Sequence, residues 1–506
     1  MLAETPGPAR PDPASRRWLR TCRAGRQHAL YPAPRSATWL RGADGATLRP
    51  KRRGRGAAMH ALRTCTRLGR CLAVAWTLVA TGQALATGEL DATFGNGGEL
   101  LIARPDSTLG SPEWLGGLAA LSDGRFYWTL NDGDDAQWLV RMHRNGDWDT
   151  SFAGDGRVEI DAPCGGSHPV RVAVDGDGAV IWTGVCLLRF HHDGSPDEDF
   201  PAGPPSVPGT GFRVSALARD GAGRWLLAGV QAFQWQVWRF RPDGSNDPSF
   251  GGGKGFVSPA VPATNGVRDL RALAVRPDHR VLLAGLRGNS NGPNLVLLQL
   301  LPDGQPDPQF GTQGRVDVEA PAGFNGIDAA AVVLDRRGRA IVAGNGNNGS
   351  QSCCALVTRF DPAGMLDASF GLRLMAPPGN TTLSPFGETS STLALLPGGQ
   401  ILLARTSFPF PSASESTRTR FTLVRLNGDG SLDTGFGTAG WRNYVVHDPT
   451  GAGMSGPYSQ IHGMAYGEGS ALMFGRTFFE DGNSKGIDFV TLVRARFDRL
   501  FDGDFE

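Results

Sequence analysis

Seven residues stand just before seven short apolar segments, and their side chains are the ones in this 506-residue chain best placed to bind something. They are Trp114, His168, Arg213, Asp269, Asp328, Thr389 and Gln460. One imidazole and two carboxylates could hold a divalent cation, but metal sites normally recruit more oxygen or nitrogen ligands than this row offers. Two interpretations are open: a rim that binds a ligand, or residues that cap strands and face solvent. The row identifies no catalytic residue, metal ligand or cofactor.

Other segments that resemble calcium-binding or nucleophile motifs are better interpreted as turns. Acidic stretches at 131–135, 175–178 and 502–506 lack the twelve-residue calcium loop that ends in a bidentate Glu, and Asp-Gly is also a common hairpin signal. The segment Gly453-Met454-Ser455-Gly456 lacks the spacing of a Gly-x-Ser-x-Gly nucleophile elbow. The sequence therefore predicts turns at these places.

A recurring nine-residue phrase sets the architecture that must position the seven residues. It reads Leu90-Asp91-Ala92-Thr93-Phe94-Gly95-Asn96-Gly97-Gly98, and its Phe returns as Phe152, Phe200, Phe250, Phe310, Phe370 and Phe436. The steps of 48 to 66 residues lie somewhat above the usual period of a propeller blade. Between these markers, short apolar runs alternate with Asp-Gly and Asn-Gly turns, which predicts four short strands per unit and an all-β fold.

Four-stranded units repeated radially form a β-propeller, which protects its sheet edges by closing the circle. Seven inner strands are predicted, at 116–121, 171–174, 214–219, 270–276, 329–334, 392–396 and 461–466. The seventh unit ends before a fourth strand, while 97–103 is a fourth-strand segment with no unit in front of it. We expect 99–103 to pair with 490–497, closing a seven-bladed propeller whose channel mouth carries the seven candidate residues.

The repeats resemble the delta-60 repeat proteins, predicted bacterial β-propellers whose units carry Asp-x-Ser-Phe-Gly after an Asp-Gly turn. The likeness covers roughly residues 88–500, through five copies with Phe-Gly, one with Phe152-Ala153 and a degraded one at Phe200-Pro201. It implies the propeller fold and bacterial secretion. The family has no common catalytic motif that could be carried onto this chain, so the resemblance implies no activity.

The first 86 residues are expected to lie outside the propeller. Residues 1–58 hold twelve Arg and one Lys with no periodicity, which favours a non-structural extension and Met59 as the translation start; a disordered basic arm is the alternative. After Met59, three Arg, an apolar run at 71–80 and Ala84-Leu85-Ala86 match a secretory signal. The run is too short for a membrane span of about 20 residues. The predicted divisions are 1–58, a signal peptide at 59–86, a propeller at 87–500 and an acidic tail at 501–506.

Removing residues 1–86 changes the charge of the chain. The whole chain has 50 basic and 49 acidic residues; 16 and 3 of these precede residue 87, which leaves 34 against 46 and a formal charge of −12. An acidic domain has no basic footprint for nucleic acid and is repelled by anionic lipid surfaces. Nucleic acid is therefore excluded as a predicted partner.

Four cysteines remain after residue 86, an even number that suits an oxidising compartment. Cys164 and Cys186 flank the first two strands of the second unit and are a disulfide candidate, with two buried thiols as the alternative. Cys353-Cys354 is either a vicinal disulfide or, as the sequence favours, two strand residues that face opposite sides of a sheet.

These observations predict a secreted or periplasmic monomer that acts as a non-catalytic binding or cell-envelope interaction module. Its expected partner is a protein or glycan of the cell envelope, and it needs no cofactor. The alternative is a metal-dependent hydrolase or lyase with its site at the channel mouth.

Overall fold

Short apolar runs between Asp-Gly turns form strands throughout the described part of the chain. The computed structural model describes residues 88–103, 115–131, 137–160, 171–176, 178–184, 186–200, 212–261, 268–289, 292–348, 351–378, 392–407, 419–449, 455–480 and 486–497. These residues contain 28 β-strands and no helix. None of them thus forms a helix that could cross a membrane. The predicted extension, signal peptide and acidic tail lie outside the described residues.

The strands follow one another as antiparallel blades. After β1 (Glu89–Leu90) and β2 (Glu99–Ala103), the first blade consists of β3 (Leu115–Ala120), β4 (Phe126–Asn131), β5 (Gln137–Met142) and β6 (Arg157–Glu159). The second has three strands in its described part, β7 (Arg171–Asp175), β8 (Gly178–Trp182) and β9 (Leu187–Phe190). The third consists of β10 (Arg213–Arg219), β11 (Trp225–Gln231), β12 (Gln234–Phe240) and β13 (Phe256–Val257).

The remaining blades repeat this order. The fourth consists of β14 (Arg268–Val275), β15 (Val281–Asn289), β16 (Gly292–Leu300) and β17 (Arg315–Val318), and the fifth of β18 (Gly326–Leu334), β19 (Ala340–Asn348), β20 (Gln351–Phe360) and β21 (Leu372–Met375). The sixth consists of β22 (Thr392–Leu395), β23 (Ile401–Ser407), β24 (Arg420–Leu426) and β25 (Trp441–Tyr444). The seventh is built on β26 (Ser455–Gly467), β27 (Ser470–Glu480) and β28 (Gly486–Arg496).

The first strand of each blade is its inner strand, and the inner strands contact one another around a ring. In order, the neighbours are β3, β7, β10, β14, β18, β22 and β26, and β26 contacts β3 again. The structure therefore confirms the predicted all-β, seven-bladed propeller.

The two ends of the described chain complete the seventh blade, as expected from the sequence. β2 pairs with β28 in antiparallel register from Glu99 opposite Val493 to Ala103 opposite Phe489. The partner segment thus begins one residue before the predicted one. β1 pairs with the following residues of β28, with Leu90 opposite Ala495. Pairing of the first strands with the last removes an open sheet edge.

Seven hydrophobic clusters fill the spaces between neighbouring blades, and each contains one Phe of the repeated phrase, which we call the marker Phe. For example, Phe310 packs with Leu297 of its own blade and with Ile327 and Val342 of the next. All seven marker Phe side chains are buried. The marker therefore seals a blade junction, and burial of each ring contributes roughly 1.5–3 kcal/mol.

The Asp of the repeated phrase, the marker Asp, holds the start of its turn. Oδ1 of Asp247 accepts the backbone N–H of Ser249 at 3.0 Å and its hydroxyl at 2.7 Å. Oδ2 accepts Nε–H of Arg239 at 2.7 Å, and this guanidinium lies 4.5 Å above the ring of Phe250 and donates to the carbonyl of Pro302 in the next blade. The trio of Arg, marker Asp and marker Phe therefore latches one blade to the next, and we call it the latch.

The Arg of the latch stands eight residues before the marker Asp in five blades. The pairs are Arg141 with Asp149, Arg189 with Asp197, Arg239 with Asp247, Arg359 with Asp367, and Arg425 with Asp433. At the ring closure, Arg494 near the C-terminal end lies 3.4 Å from Asp91 near the N-terminal end and donates to the carbonyl of Arg144 in the first blade. The last latch thus joins the first and last strands.

The fourth blade builds its latch differently. Gln299 occupies the Arg position and donates to Asp307 at 2.7 Å. Arg276, which follows the inner strand, donates to Gln299 Oε1 and to the carbonyl of Gly338 in the next blade. The guanidinium that reaches the next blade has therefore moved from the third strand to the end of the first.

Candidate functional site at the channel mouth

The strand order defines two faces of the propeller. The inner strand begins where the second strand ends, as Arg213 pairs with Val230 in the third blade. The starts of the inner strands and the hairpins between second and third strands therefore share one face, which we call the mouth face. The marker loops and the turns after the inner strands share the opposite face, which we call the marker face.

Four of the seven predicted rim residues lie on the mouth face at the start of inner strands or within one. Arg213 begins β10 and is exposed, Asp269 and Asp328 lie near the starts of β14 and β18, and Gln460 lies within β26. The other three, Trp114, His168 and Thr389, lie outside the described residues. The alignment of the repeats thus holds for every rim residue that the structure describes.

Glycine at the end of the second strand positions these rim residues. A Cβ on Gly344 would lie 1.9 Å from the carbonyl oxygen of Asp328, and one on Gly285 would lie 2.1 Å from that of Asp269. Gly229 and Gly475 stand in the same relation to Arg213 and Gln460. This glycine of the second strand is therefore the place where the rim backbone crosses without space for a side chain.

A bulge follows the rim residue in several inner strands and adds a second row of side chains. Register shifts place Ser215, Arg271 and His462 in the bulges of β10, β14 and β26. A bulge turns a side chain out of the regular alternation and is common beside functional sites. This row was not predicted from the sequence, although a polar residue directly before a small one, Ala216, Ala272 or Gly463, marks it.

Charged and amide groups of three blades meet around Asp328. Asn345 donates its backbone N–H at 3.0 Å and its side-chain N–H at 3.1 Å to Oδ1 of Asp328, and Arg405 donates to Oδ1 of Asn345 at 3.1 Å. Burial raises the pKa of Asp328, against the opposing charges of Arg271 and Arg405. Arg271 also pairs with Asp269 at 2.8 Å. We call Asp269, Arg271, Asp328, Asn345 and Arg405 the mouth cluster.

The blades across the ring carry more positive charge. Burial and the charges of Arg476 and Arg171 lower the pKa of His462 to about 4, so its imidazole is neutral at physiological pH. Arg476 pairs with the buried Asp488 at 2.9 Å, and Arg171 donates to the carbonyl of Ser215 at 3.3 Å. The first contact lies within the seventh blade, and the second joins the second blade to the third.

The two rim carboxylates are arranged to face guanidinium groups. Asp269 has an Arg partner, and Asp328 is held by an amide and lies near two Arg charges. Within the described ranges, no three His, Cys, Asp or Glu side chains gather as a metal site would require. The geometry suits hydrogen bonding to a polar ligand.

Two cysteines of the described chain differ in oxidation state. Cys186 is buried and disulfide-bonded. Cys164, its predicted partner, lies outside the described residues, so that pairing stays a prediction. Cys354 is a buried thiol, as the favoured interpretation of Cys353-Cys354 requires.

Comparison with known proteins identifies the repeats as propeller repeats. Residues 276–310 and 411–436 match the family described as a domain of unknown function (DUF5122) β-propeller. The first matched span ends at Phe310 and the second at Phe436, two of the marker residues. The comparison with curated proteins found no match.

Solved structures similar to this chain include a protein of unknown function from Dyadobacter fermentans, 13% identical, with a TM-score of 0.37 over 78% of this chain and 97% of that one. A calcium-binding protein, regucalcin, from Agrobacterium tumefaciens is 13% identical, with a TM-score of 0.33 over 58% of this chain and 83% of that one. The polysaccharide lyase Uly1 is 9% identical, with a TM-score of 0.33 over 78% and 91%.

Proposed function

We propose that the protein is a secreted, non-catalytic binding module of the bacterial cell envelope that takes a protein or glycan ligand at its channel mouth. The observation that carries this proposal is the mouth cluster. Its groups come from three blades: Asp328, Asn345 and Arg405 form one hydrogen-bonded set, and the Asp269–Arg271 ion pair lies near enough for the charge of Arg271 to act on Asp328. A set with both donors and acceptors suits a ligand rich in hydroxyl or amide groups.

The scaffold supports a rigid recognition surface. Rim residues are fixed by strand pairing and by the close backbone crossing at Gly285 and Gly344, so a ligand would meet polar groups that are already placed. Preorganised groups lose less entropy on binding than mobile ones. Regular spacing of the blades then sets the distances between contacts.

Secretion and the delta-60 repeat assignment belong to the same proposal. The signal-type segment between Met59 and Ala86 supports export, and the disulfide of Cys186 suits an oxidising compartment. The marker phrase, with Asp-Gly before it and Phe-Gly within it, supports a repeat of the delta-60 kind.

The test compares ligand capture by the wild type and by variants of the mouth cluster. Tagged protein is applied to a glycan array and to envelope extract, and each ligand found is titrated by calorimetry. Asp328→Asn and Arg271→Gln should each weaken binding by about ten-fold, since each removes one charged hydrogen-bond group. The matched control is Asp278→Asn, which changes an exposed carboxylate on the marker face and should leave binding unchanged.

Two results would contradict the proposal. Ligands bound equally well by both mouth variants would place recognition elsewhere. Stoichiometric metal in the purified protein, lost on changing His168, Asp269 and Asp328, would favour the hydrolase or lyase instead.

A further inference from the structure

A cleft opens on the marker face between the fourth and fifth blades. It has a volume of about 480 Å³ and lies between the turns that follow the two inner strands, the marker loop of the fourth blade and the turn after the third strand of the fifth. A volume of this size is typical of sites for small molecules. All lining residues belong to the described part of the chain, and they include Arg276, Arg280, Gln299, Asp307, Gln309 and Arg337.

The cleft lies where the fourth blade departs from the latch of the first and third blades. In the first blade, the latch guanidinium uses three nitrogen atoms. Arg141 donates from Nε to Asp149 and from Nη1 to the carbonyl of His192 in the second blade. Its Nη2 donates to the hydroxyl of Ser151 at 2.8 Å. Arg239 of the third blade makes the same three kinds of contact, so a complete latch leaves no guanidinium nitrogen over.

The fourth blade has Gln at two of these positions, Gln299 in place of the Arg and Gln309 in place of the Ser. Arg276 supplies the guanidinium instead, and it donates from Nε to Gln299 and from Nη1 to the carbonyl of Gly338. Its Nη2 is buried and has no hydrogen-bond partner among the described residues. A buried donor without a partner is costly, and more so when it carries charge, so the cleft holds a donor that a ligand can satisfy.

The ion pairs of the cleft leave two guanidinium groups without a counter-ion. Arg280 faces both carboxylates of the lining, because it pairs with Asp278 and its Nε lies 3.1 Å from Oδ2 of Asp307. Arg276 and Arg337 form no ion pair within the described ranges. Burial is the main cause that lowers the pKa of Arg276, and nearby carboxylates oppose it. An anion in the cleft would therefore compensate a charge that the fold leaves desolvated.

We infer that this cleft, which we call the latch cleft, binds the carboxylate of a small organic acid. Nη2 of Arg276 and the guanidinium of Arg337 donate to the two carboxylate oxygens, and the exposed amide of Gln309 serves a hydroxyl group of the ligand. Because Nη2 is covered by the lining, an exposed side chain such as Gln309 rotates aside when the ligand enters. The inference goes beyond the proposed function, since it places a second site on the face opposite the channel mouth.

The charges of the lining favour a carboxylate over a phosphate. A carboxylate brings one negative charge and two oxygen atoms, which matches two guanidinium groups. A phosphate dianion would bring a second negative charge into a cleft that already contains Asp278 and Asp307. Repulsion between like charges would oppose its binding.

The test titrates gluconate and sorbitol into the full-length exported protein by calorimetry. Sorbitol has a primary alcohol where gluconate has its carboxylate, so the pair isolates the contribution of the charge. Gluconate should bind at least about ten-fold more tightly at low salt, and added salt should reduce this preference because it screens the attraction. Inorganic phosphate is titrated in parallel and should bind more weakly than gluconate.

The decisive variant rebuilds a complete latch in the fourth blade. Arg276→Leu, Gln299→Arg and Gln309→Ser together give this blade the residues that the first blade has as Leu121, Arg141 and Ser151. The net charge is unchanged, and the new guanidinium should fill the cleft with all its nitrogen atoms bonded. The melting temperature should stay within about 3 °C of the wild type or rise, while gluconate binding should weaken by at least about ten-fold.

Two neighbouring exposed arginines provide a matched pair of single variants. Arg337 lines the cleft and Arg336 does not, although both are exposed. Arg337→Gln should weaken gluconate binding by about three-fold, and Arg336→Gln, with the same change in net charge, should leave it unchanged.

Gluconate that binds no more tightly than sorbitol, or that binds the triple variant as well as the wild type, would overturn the inference. If the triple variant does not fold, equal gluconate affinities of the Arg336→Gln and Arg337→Gln proteins would overturn it instead. Tighter binding of phosphate than of gluconate would exclude the carboxylate as the ligand group. Gluconate binding that is lost in Asp328→Asn and kept in the triple variant would place this ligand at the channel mouth, which contradicts the latch cleft and leaves the proposed function standing.

Discussion

At the scale of single residues, the marker Asp does more than shape a turn. Asp149 is buried, as is Arg141, and their oxygen and nitrogen atoms lie 2.6 Å apart. Burial alone would raise the pKa of Asp149, but hydrogen bonds from Ser151 and Arg141 outweigh it and lower the pKa to about 2. A buried ion pair adds little over apolar packing, yet the loss of one partner leaves a buried charge unpaired. Substitution of one latch residue is therefore expected to lower the free energy of unfolding substantially.

Substitution of Asp149 tests this cost through pH. Because the pKa of about 2 in the folded state lies below the ordinary value of 3.8, Asp149 stabilises the fold fully above pH 4, and this contribution is lost as the pH falls towards 2. Asp149→Asn should lower the free energy of unfolding at pH 7 by about 2 kcal/mol or more and reduce the loss between pH 4 and 2. Urea unfolding at a series of pH values measures both effects.

The control lies two residues earlier in the chain, in the preceding turn. Asp147 is exposed, and Asp147→Asn should change the unfolding free energy by less than about 0.5 kcal/mol. Equal losses for the two variants would show that the buried pair has no special role.

At the scale of elements, the channel mouth depends on contacts between first and second strands. In the third, fourth, fifth and seventh blades, the bulge of the inner strand and the glycine opposite it form one unit, in which the rim carbonyl occupies the space of a Cβ. This unit explains how a strand with an ordinary apolar sequence presents Asp328 and its neighbours in a fixed place.

Gly344→Ala tests that unit. The new Cβ would lie 1.9 Å from the carbonyl oxygen of Asp328 and 3.0 Å from Cα of Ala329, so the inner strand must shift. The variant should lose about 1–3 kcal/mol of stability and weaken binding at the mouth. Gly467→Ala is the control, because its Cβ would meet nothing within 4 Å. Thermal unfolding and ligand titration of both variants give the answer, and an unaffected Gly344→Ala protein would contradict the account.

At the scale of the whole molecule, stability depends on closing the ring. β2 is the fourth strand of a blade whose other strands come from the far end of the chain, and the Arg494 and Asp91 latch sits at the same junction. Without this pairing, β28 would keep an open edge, and the cluster between the first and seventh blades would lose the side chains that β2 contributes.

The double change Leu101→Pro with Ile102→Asp tests the closure. Proline removes a ladder hydrogen bond and the carboxylate enters the cluster around Phe94, which together should cost at least about 4 kcal/mol and sharply lower the melting temperature. The comparison is Val316→Pro with Val318→Asp in β17, the fourth strand of a blade that the chain holds on both sides. The double change in β17 is expected to lower the melting temperature less than the double change in β2. An unchanged melting temperature of the β2 variant would refute the closure.

The sequence by itself determined the all-β class, the number of blades, the strand that closes the ring and the rim positions that the structure describes. Each of these depends on a local pattern that recurs, namely apolar runs, Asp-Gly turns and the marker phrase. A single short apolar run could be a strand or a helix, and the repeated copies decide for a strand. The Arg eight residues before the marker Asp recurs in five of the seven copies and could have been found in the same way.

Only the tertiary structure decided which side chains meet. Arg271, Asp328 and Arg405 come from three blades, and the distances at which the two Arg charges act on Asp328 are not encoded by any local pattern. In the fourth blade a guanidinium from Arg276, and not from position 299, reaches the next blade, at the carbonyl of Gly338, and this breaks the pattern in sequence. The turn at Phe233 adopts a conformation that its residues disfavour, because pairing of two long strands outweighs the preference of two residues.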